Sequence, residues 1–203
     1  LSHASIVLPI DFLHARLKHL IRTAANSGTA EMATLRAVGK SDLEAVQLFH
    51  AALVQNKRKL ETIAFECAAD PRALQSVGQL IPIPFLHACN RLWASADTEP
   101  WTEGYCRLCG AWPALAEVRG IEKARYLRCG RCGQQWQALA LHCIFCGTDD
   151  HEQLLSLVPQ NKSFSTRMIE ACKHCSGYFK SLTRLQGADA LGVLVDDLAS
   201  VDL

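Results

Sequence analysis

The chain has 203 residues, of which 49% are hydrophobic and 20% are charged, and its formal net charge at pH 7 is +1. This length and composition are typical of a globular protein of one or two domains with a buried core. The small net charge argues against a broad electrostatic surface for nucleic acid or anionic membrane. The chain shows no secretion signal and no apolar run of membrane-spanning length, so we expect neither secretion nor membrane insertion.

The first hundred residues carry a helical pattern. Leu13, Leu17 and Ile21 lie on one face of a helix predicted over about residues 9–26. A longer apolar stripe predicts a single helix from about residue 41 to residue 70, where the following proline must end or bend it.

Two shorter helices are predicted to follow. Asp70 and Pro71 suit the cap and first position of one helix, and another is expected from Pro84. Cys67 and Cys89 fall at apolar positions, where cysteine acts as a small hydrophobic residue. The sequence therefore predicts an α-helical domain over residues 1–100, with the helical pattern broken at about residues 98–104.

Cysteine spacing is the strongest signal in the chain. Eight of the ten cysteines form four Cys-x-x-Cys pairs: Cys106/Cys109, Cys129/Cys132, Cys143/Cys146 and Cys172/Cys175. Three pairs are followed by glycine and the fourth by Ser-Gly, which predicts tight metal-binding knuckles. The members of such a pair are poorly placed for an ordinary structural disulfide. We infer metal sites in a reducing compartment, the cytoplasm.

Strand-like segments between the pairs predict two small β modules. The first, residues 101–141, has candidate strands at 112–118, 124–128 and 135–141, and the second, residues 142–182, at 153–158 and 164–170. Residues 183–203 are predicted to form a C-terminal helical segment.

Sequential pairing of the knuckles gives two sites of four thiolates each, and loop closure favours it over interleaved pairing, which stays an alternative. The expected ligand sets are Cys106, Cys109, Cys129 and Cys132 for one ion and Cys143, Cys146, Cys172 and Cys175 for the other. The cofactors are two metal ions, iron as in rubredoxin or zinc, since four thiolates suit both. His142 and His174 lie beside ligands, but eight cysteines already complete two shells.

The first predicted hairpin is locally basic. Its cations are Arg119, Lys123, Arg125, Arg128 and Arg131. We interpret them as a solvated face, with an acidic partner surface or nucleic acid as the alternative.

Flanking residues give a more specific indication. Residues 82–86 (PIPFL), 104–113 (GYCRLCGAWP), 125–136 (RYLRCGRCGQQW), 142–147 (HCIFCG) and 170–180 (EACKHCSGYFK) together make residues 81–182 resemble the formate dehydrogenase accessory protein family, FdhE. The resemblance implies a cytoplasmic maturation factor for respiratory formate dehydrogenase that docks to the catalytic subunit and holds iron in two rubredoxin-like modules. Members of that family extend further than this chain at both ends.

These observations together predict an α+β protein with an N-terminal helical domain followed by two rubredoxin-like or zinc-ribbon-like modules. We expect a metal-binding accessory factor rather than an enzyme, with no catalytic residues. The alternatives are a nucleic-acid-binding zinc ribbon, which the small net charge disfavours, and an iron protein that passes electrons during maturation.

Overall fold

A computed structural model describes residues 9–38, 42–93, 100–159 and 166–201. The chain divides into two compact units, residues 1–85 and 86–203. Helices form the regular structure described in the first unit, and a six-stranded sheet dominates the second. The predicted α+β class is confirmed. Among the described residues, no helix combines the length and apolarity needed to cross a bilayer.

The first unit packs its helices around one aliphatic core. The helices are α1 (Ile10–Ala25), α2 (Ala30–Ala33), α3 (Asp42–Leu53), α4 (Lys57–Glu66) and α5 (Pro71–Gly78), with a 3₁₀ turn at Thr34–Ala37. Leu48, Leu60 and Leu74 are at most 1% exposed in this core. A sixth helix, α6 (Ile83–Trp93), starts one residue before the predicted Pro84, and from Leu86 on it belongs to the second unit.

The single helix predicted over residues 41–70 is wrong, because α3 and α4 are separate helices; residue 41 itself lies outside the described residues. Gln55 adopts a left-handed φ of 55°, and the Asn56 side chain then caps α4 by accepting the Lys59 N–H at 3.0 Å. Both helices bury their apolar faces in the same core, so the stripe continues across the break. The predicted start at Asp70 is confirmed, since its carboxylate accepts the Ala73 N–H at 2.8 Å.

The second unit is built on a sheet of order β3-β2-β1-β6-β5-β4. Its strands are β1 (Leu115–Arg119), β2 (Ala124–Arg128), β3 (Gln135–Gln137), β4 (Leu154–Leu157), β5 (Arg167–Cys172) and β6 (Tyr178–Arg184), and helix α7 (Ala190–Leu198) follows. Each module forms an antiparallel three-stranded meander, and parallel pairing of β1 with β6 joins the two. The modules therefore share one sheet.

Several strand predictions differ from the structure. Strand β6 is not among the predicted strands and extends to Arg184, inside the segment 183–203 predicted to be helical. Strand β3 covers only the first three residues of the predicted 135–141. Residues 160–165, which contain part of the predicted strand 164–170, lie outside the described residues.

A buried carboxylate links the two meanders. Glu117 on β1 is fully buried, and its oxygens pair with the guanidiniums of Arg119, Arg128 and Arg184. The Ala188 N–H also donates to it at 3.0 Å. These groups come from β1, β2, β6 and the loop before α7, so one side chain holds four segments together.

Helix α7 packs onto the sheet by apolar and ionic contacts. Val193 is buried against Leu115 and Leu182. Lys180 pairs with Asp197, and the Arg184 guanidinium donates to Asp196 at 2.6 Å. The strand that joins the modules therefore also anchors the C-terminal helix.

Replacing Glu117 with glutamine should destabilise the second unit by about 3–5 kcal/mol, because it leaves three partly or fully buried guanidiniums without their shared counterion. Chemical denaturation of the full chain measures the change. The matched control is Glu122→Gln at the exposed hairpin turn, for which we expect about 0.5 kcal/mol or less. Equal effects of the two variants would contradict the role assigned to Glu117.

The same carboxylate should make stability depend on pH. Burial raises the pKa of Glu117, but hydrogen bonds from Ala188, Arg119 and Arg128 outweigh it and hold the pKa below its ordinary value. A lowered pKa in the folded state means that this stabilisation is present above the unfolded-state pKa of about 4.3 and is lost as pH falls through the folded-state value. Comparison of wild type and Glu117→Gln across this range isolates the effect.

Candidate metal centres

The structure brings the eight predicted cysteines into two groups of four, in the arrangement of sequential pairing. We call Cys106, Cys109, Cys129 and Cys132 the first sulfur group, and Cys143, Cys146, Cys172 and Cys175 the second sulfur group. Within each group all Sγ atoms lie within 4.8 Å of one another, and each group could hold a metal ion.

All four knuckles have the same backbone hydrogen bond. The N–H of the first cysteine of each pair donates to the carbonyl five residues later: Cys106 to Ala111, Cys129 to Gln134, Cys143 to Thr148 and Cys172 to Gly177, at 2.8–2.9 Å. The residue after each pair is left-handed, with φ of 69°, 75° and 77° at the three glycines and 58° at Ser176. Glycine adopts this conformation freely, whereas Ser176 adopts it with a Cβ in place.

The sulfur spacing fits a tetrahedral ion. A metal–sulfur bond of about 2.3 Å places sulfurs of a regular tetrahedron about 3.8 Å apart. In the first sulfur group Cys106 to Cys132 and Cys109 to Cys129 are both 3.4 Å, and in the second sulfur group Cys143 to Cys175 is 3.7 Å and Cys146 to Cys172 is 3.8 Å. Four thiolates close the shell and leave no position for a hydrolytic water, so this donor set suits structural binding or one-electron chemistry.

Sulfur–sulfur hydrogen bonds link the thiols of the first sulfur group. Hydrogen bonds among the sulfurs, led by those with Cys106, lower the pKa of Cys109 and Cys129 and raise that of Cys132. The pKa of Cys106 is raised by its bonds to Cys109 and Cys129. Binding a divalent ion must displace the retained protons, so metal affinity should fall as pH falls.

The remaining cysteines and the flanking histidines lie outside the two sulfur groups. Cys89 is 5% exposed, in keeping with its apolar position in α6, and Cys67 is partly buried. His142 is partly buried and His174 is exposed. Among the described residues, neither histidine joins a cluster of metal-ligating side chains.

Arg125 supports the second sulfur group from the first module, which the sequence did not indicate. Its guanidinium donates to the carbonyls of Leu139 and His142 at 2.6 and 3.1 Å and to the Glu170 carboxylate at 2.8 Å. It also lies 5.0 Å from the centre of the Phe179 ring. Although burial lowers the pKa of Arg125, Glu170 opposes that shift. Strand β2 thus fixes the chain just before Cys143 and just before Cys172.

The basic hairpin is largely occupied by internal partners. Arg125 and Arg128 are 4% and 3% exposed, and Arg119 pairs with Glu117 and stacks on Tyr126 at 4.3 Å. Of the five predicted cations, Lys123 is exposed to solvent, and the other four are partly or fully buried. These pairings remove three guanidiniums from any nucleic-acid surface on this hairpin.

A chain of aromatic rings connects the two sulfur groups. Tyr105, which precedes Cys106, lies 6.4 Å from Trp112, and Trp112 lies 5.1 Å from Phe145, between Cys143 and Cys146. Phe145 continues to Phe179 at 6.1 Å. Gly104 packs so closely on the Ile144 backbone that a Cβ would lie 1.8 Å from its oxygen. The knuckles of the two modules therefore pack on each other.

Comparison with known proteins gives relatives that match part of the chain. A protein named Protein FdhE homolog from Aquifex aeolicus is 30% identical over 110 residues, covering 53% of this chain and 38% of the relative. A Shewanella baltica protein of the same name is 30% identical over 103 residues, covering 50% of this chain and 33% of the relative. A Haemophilus influenzae protein of that name is 26% identical over 158 residues, covering 75% of this chain and 50% of the relative. No family model matches.

The solved structure of the FdhE protein from Pseudomonas aeruginosa has the same fold. Its TM-score is 0.53 at 22% identity, over 99% of this chain and 76% of that protein. The resemblance to the FdhE family is confirmed. This chain spans between a third and a half of the length of these three curated FdhE relatives.

The glycines after the knuckles provide a matched pair of substitutions. Gly110→Ala should lower the free energy of unfolding by about 1–2 kcal/mol. Its new methyl group has free space, so the cost comes from the left-handed backbone conformation alone. Gly133→Ala should cost about 1–3 kcal/mol more, because its Cβ would also lie 2.6 Å from the Ala190 Cβ. Equilibrium unfolding measures both, and equal costs would show that α7 does not pack on this knuckle.

Proposed function

We propose that this protein is a cytoplasmic, non-enzymatic accessory factor for the maturation of respiratory formate dehydrogenase. In this proposal the two sulfur groups hold two metal ions, iron or zinc, and the protein docks to the catalytic subunit of the enzyme. The observation that carries the proposal is the pair of four-thiolate groups on one sheet, in a chain similar to proteins named FdhE.

The geometry supports a binding role over catalysis. Both sulfur groups offer complete thiolate shells, which suit ions that hold a fold or carry single electrons. The ions would stabilise modules of about 40 residues, a size at which a hydrophobic core alone is marginal.

We assign docking to the helical residues 1–100 and metal binding to the modules at 101–141 and 142–182. The first unit has its own aliphatic core, and the eight cysteines of the sulfur groups all lie in the second unit. Nucleic-acid binding is disfavoured, because the basic hairpin directs Arg119, Arg125 and Arg128 to internal partners.

Co-purification from cells that produce formate dehydrogenase tests the proposal. The tagged full chain should recover the catalytic subunit, and elemental analysis of the same sample should give two metal ions per chain. Cys129→Ser should lower the metal content and unfold the first module, because three thiolates leave an incomplete shell. The control Cys67→Ser, outside both sulfur groups, should change neither result.

Two outcomes would contradict the proposal. Recovery of the metal-loaded chain without the catalytic subunit would refute the assigned partner. Unchanged metal content in Cys129→Ser would refute the assigned ligands.

A further inference from the structure

The two sulfur groups differ in their exposure to solvent. In the first sulfur group Cys106, Cys129 and Cys132 are at most 1% exposed, and Cys109 is partly buried. In the second sulfur group Cys143 and Cys172 are each 4% exposed, but Cys146 and Cys175 reach the solvent. The second cysteine of each pair is thus more accessible in the second module.

Packing around the later knuckle of each module explains the difference. At Gly133 the space for a Cβ is taken by Ala190 at the start of α7, and the His87 ring of α6 lies 3.7 Å away. Ser176, at the corresponding position of the second module, is exposed, and so are Lys173 and His174 of the same knuckle. Two helices therefore cover the first module's later knuckle, while the second module's later knuckle faces water.

Arg125 anchors the second sulfur group through the residues just before its two buried cysteines. Arg125 holds the carbonyl of His142, which precedes Cys143, and the carboxylate of Glu170, two residues before Cys172. Its buried side is therefore tied to strand β2. Cys146 and Cys175 are the solvent-exposed cysteines of this group. Cys146 and Cys175 can therefore dissociate from a bound ion while Cys143 and Cys172 still hold it.

From this asymmetry we propose that the second sulfur group is an exchange site, through which a thiophilic metal ion passes to or from an incoming thiolate ligand. The first sulfur group keeps its ion. The inference rests on the metal-binding part of the proposed function and is independent of the enzyme partner. It assigns the two groups different tasks.

Exchange at this site is a ligand substitution. Cys146 or Cys175 dissociates as the incoming thiolate binds, so one metal–sulfur bond forms for each that breaks. The released cysteine thiolate takes a proton from water, and no electron is transferred. At the first sulfur group an incoming ligand has no comparable open side, so exchange there requires local opening of the fold.

Release kinetics of Zn²⁺ from the full chain test this inference. The zinc-loaded protein is mixed with excess of a chromophoric chelator, and release is followed by absorbance. We expect two phases of equal amplitude, one for each ion. Release from the second sulfur group should be at least about tenfold faster than release from the first, because only the first sulfur group requires local opening of the fold. Cys146→Ser should abolish the fast phase. Its counterpart Cys109→Ser should keep the fast phase and lose the slow one.

Alkylation of the zinc-loaded wild type keeps the test independent of variant folding. Iodoacetamide with peptide mapping should label Cys146 and Cys175 during the fast phase, while Cys106 and Cys132 stay protected. Release of both ions at one rate, or early labelling of Cys106 and Cys132, would overturn the inference alone. A chain that binds no Zn²⁺ would overturn both the inference and the metal-binding part of the proposed function.

Discussion

The buried carboxylate of Glu117 is the interaction on which the second unit depends. A charge without solvent is tolerated only with close partners, and here three guanidiniums and a backbone N–H supply them. The partners come from strands of both modules and from the loop before α7. Because β1 and β6 must lie side by side to complete this network, the carboxylate favours one sheet over two separate ribbons.

The ionic network and the sulfur groups stabilise different parts of the unit. The apolar cluster beneath α7 is small, with Leu115, Leu182 and Val193 as its buried members. A four-thiolate metal site contributes on the order of 10 kcal/mol where it forms with the fold, and it acts on the knuckles at the ends of the strands. Glu117 acts at the junction between the meanders, and it belongs to neither sulfur group.

The sequence predicts the local features of this chain well. The knuckles can be predicted because Cys-x-x-Cys-Gly specifies both the ligands and a left-handed turn. The helix start at Asp70-Pro71 can be predicted because capping depends on adjacent residues. The break at Gln55 is missed because both flanking helices face one core, so the apolar period does not change. The cap at Asn56 was the available signal.

Long-range pairings could not be predicted in the same way. Glu117 meets Arg184 and Ala188 across about 70 residues, and Arg125 meets Glu170 across 45. A charged residue within a strand has the same local pattern whether it faces water or a buried partner. The local pattern of the basic hairpin therefore indicates a solvated face, whereas Arg125 and Arg128 are buried.

We propose that each sulfur group binds one ion through four cysteines and no other residue. X-ray absorption of the metal-loaded full chain measures this directly. We expect two ions per chain, each with four sulfur neighbours at about 2.3 Å. Nitrogen or oxygen neighbours at about 2.0–2.1 Å would contradict it, because a histidine, carboxylate or water would then replace a cysteine.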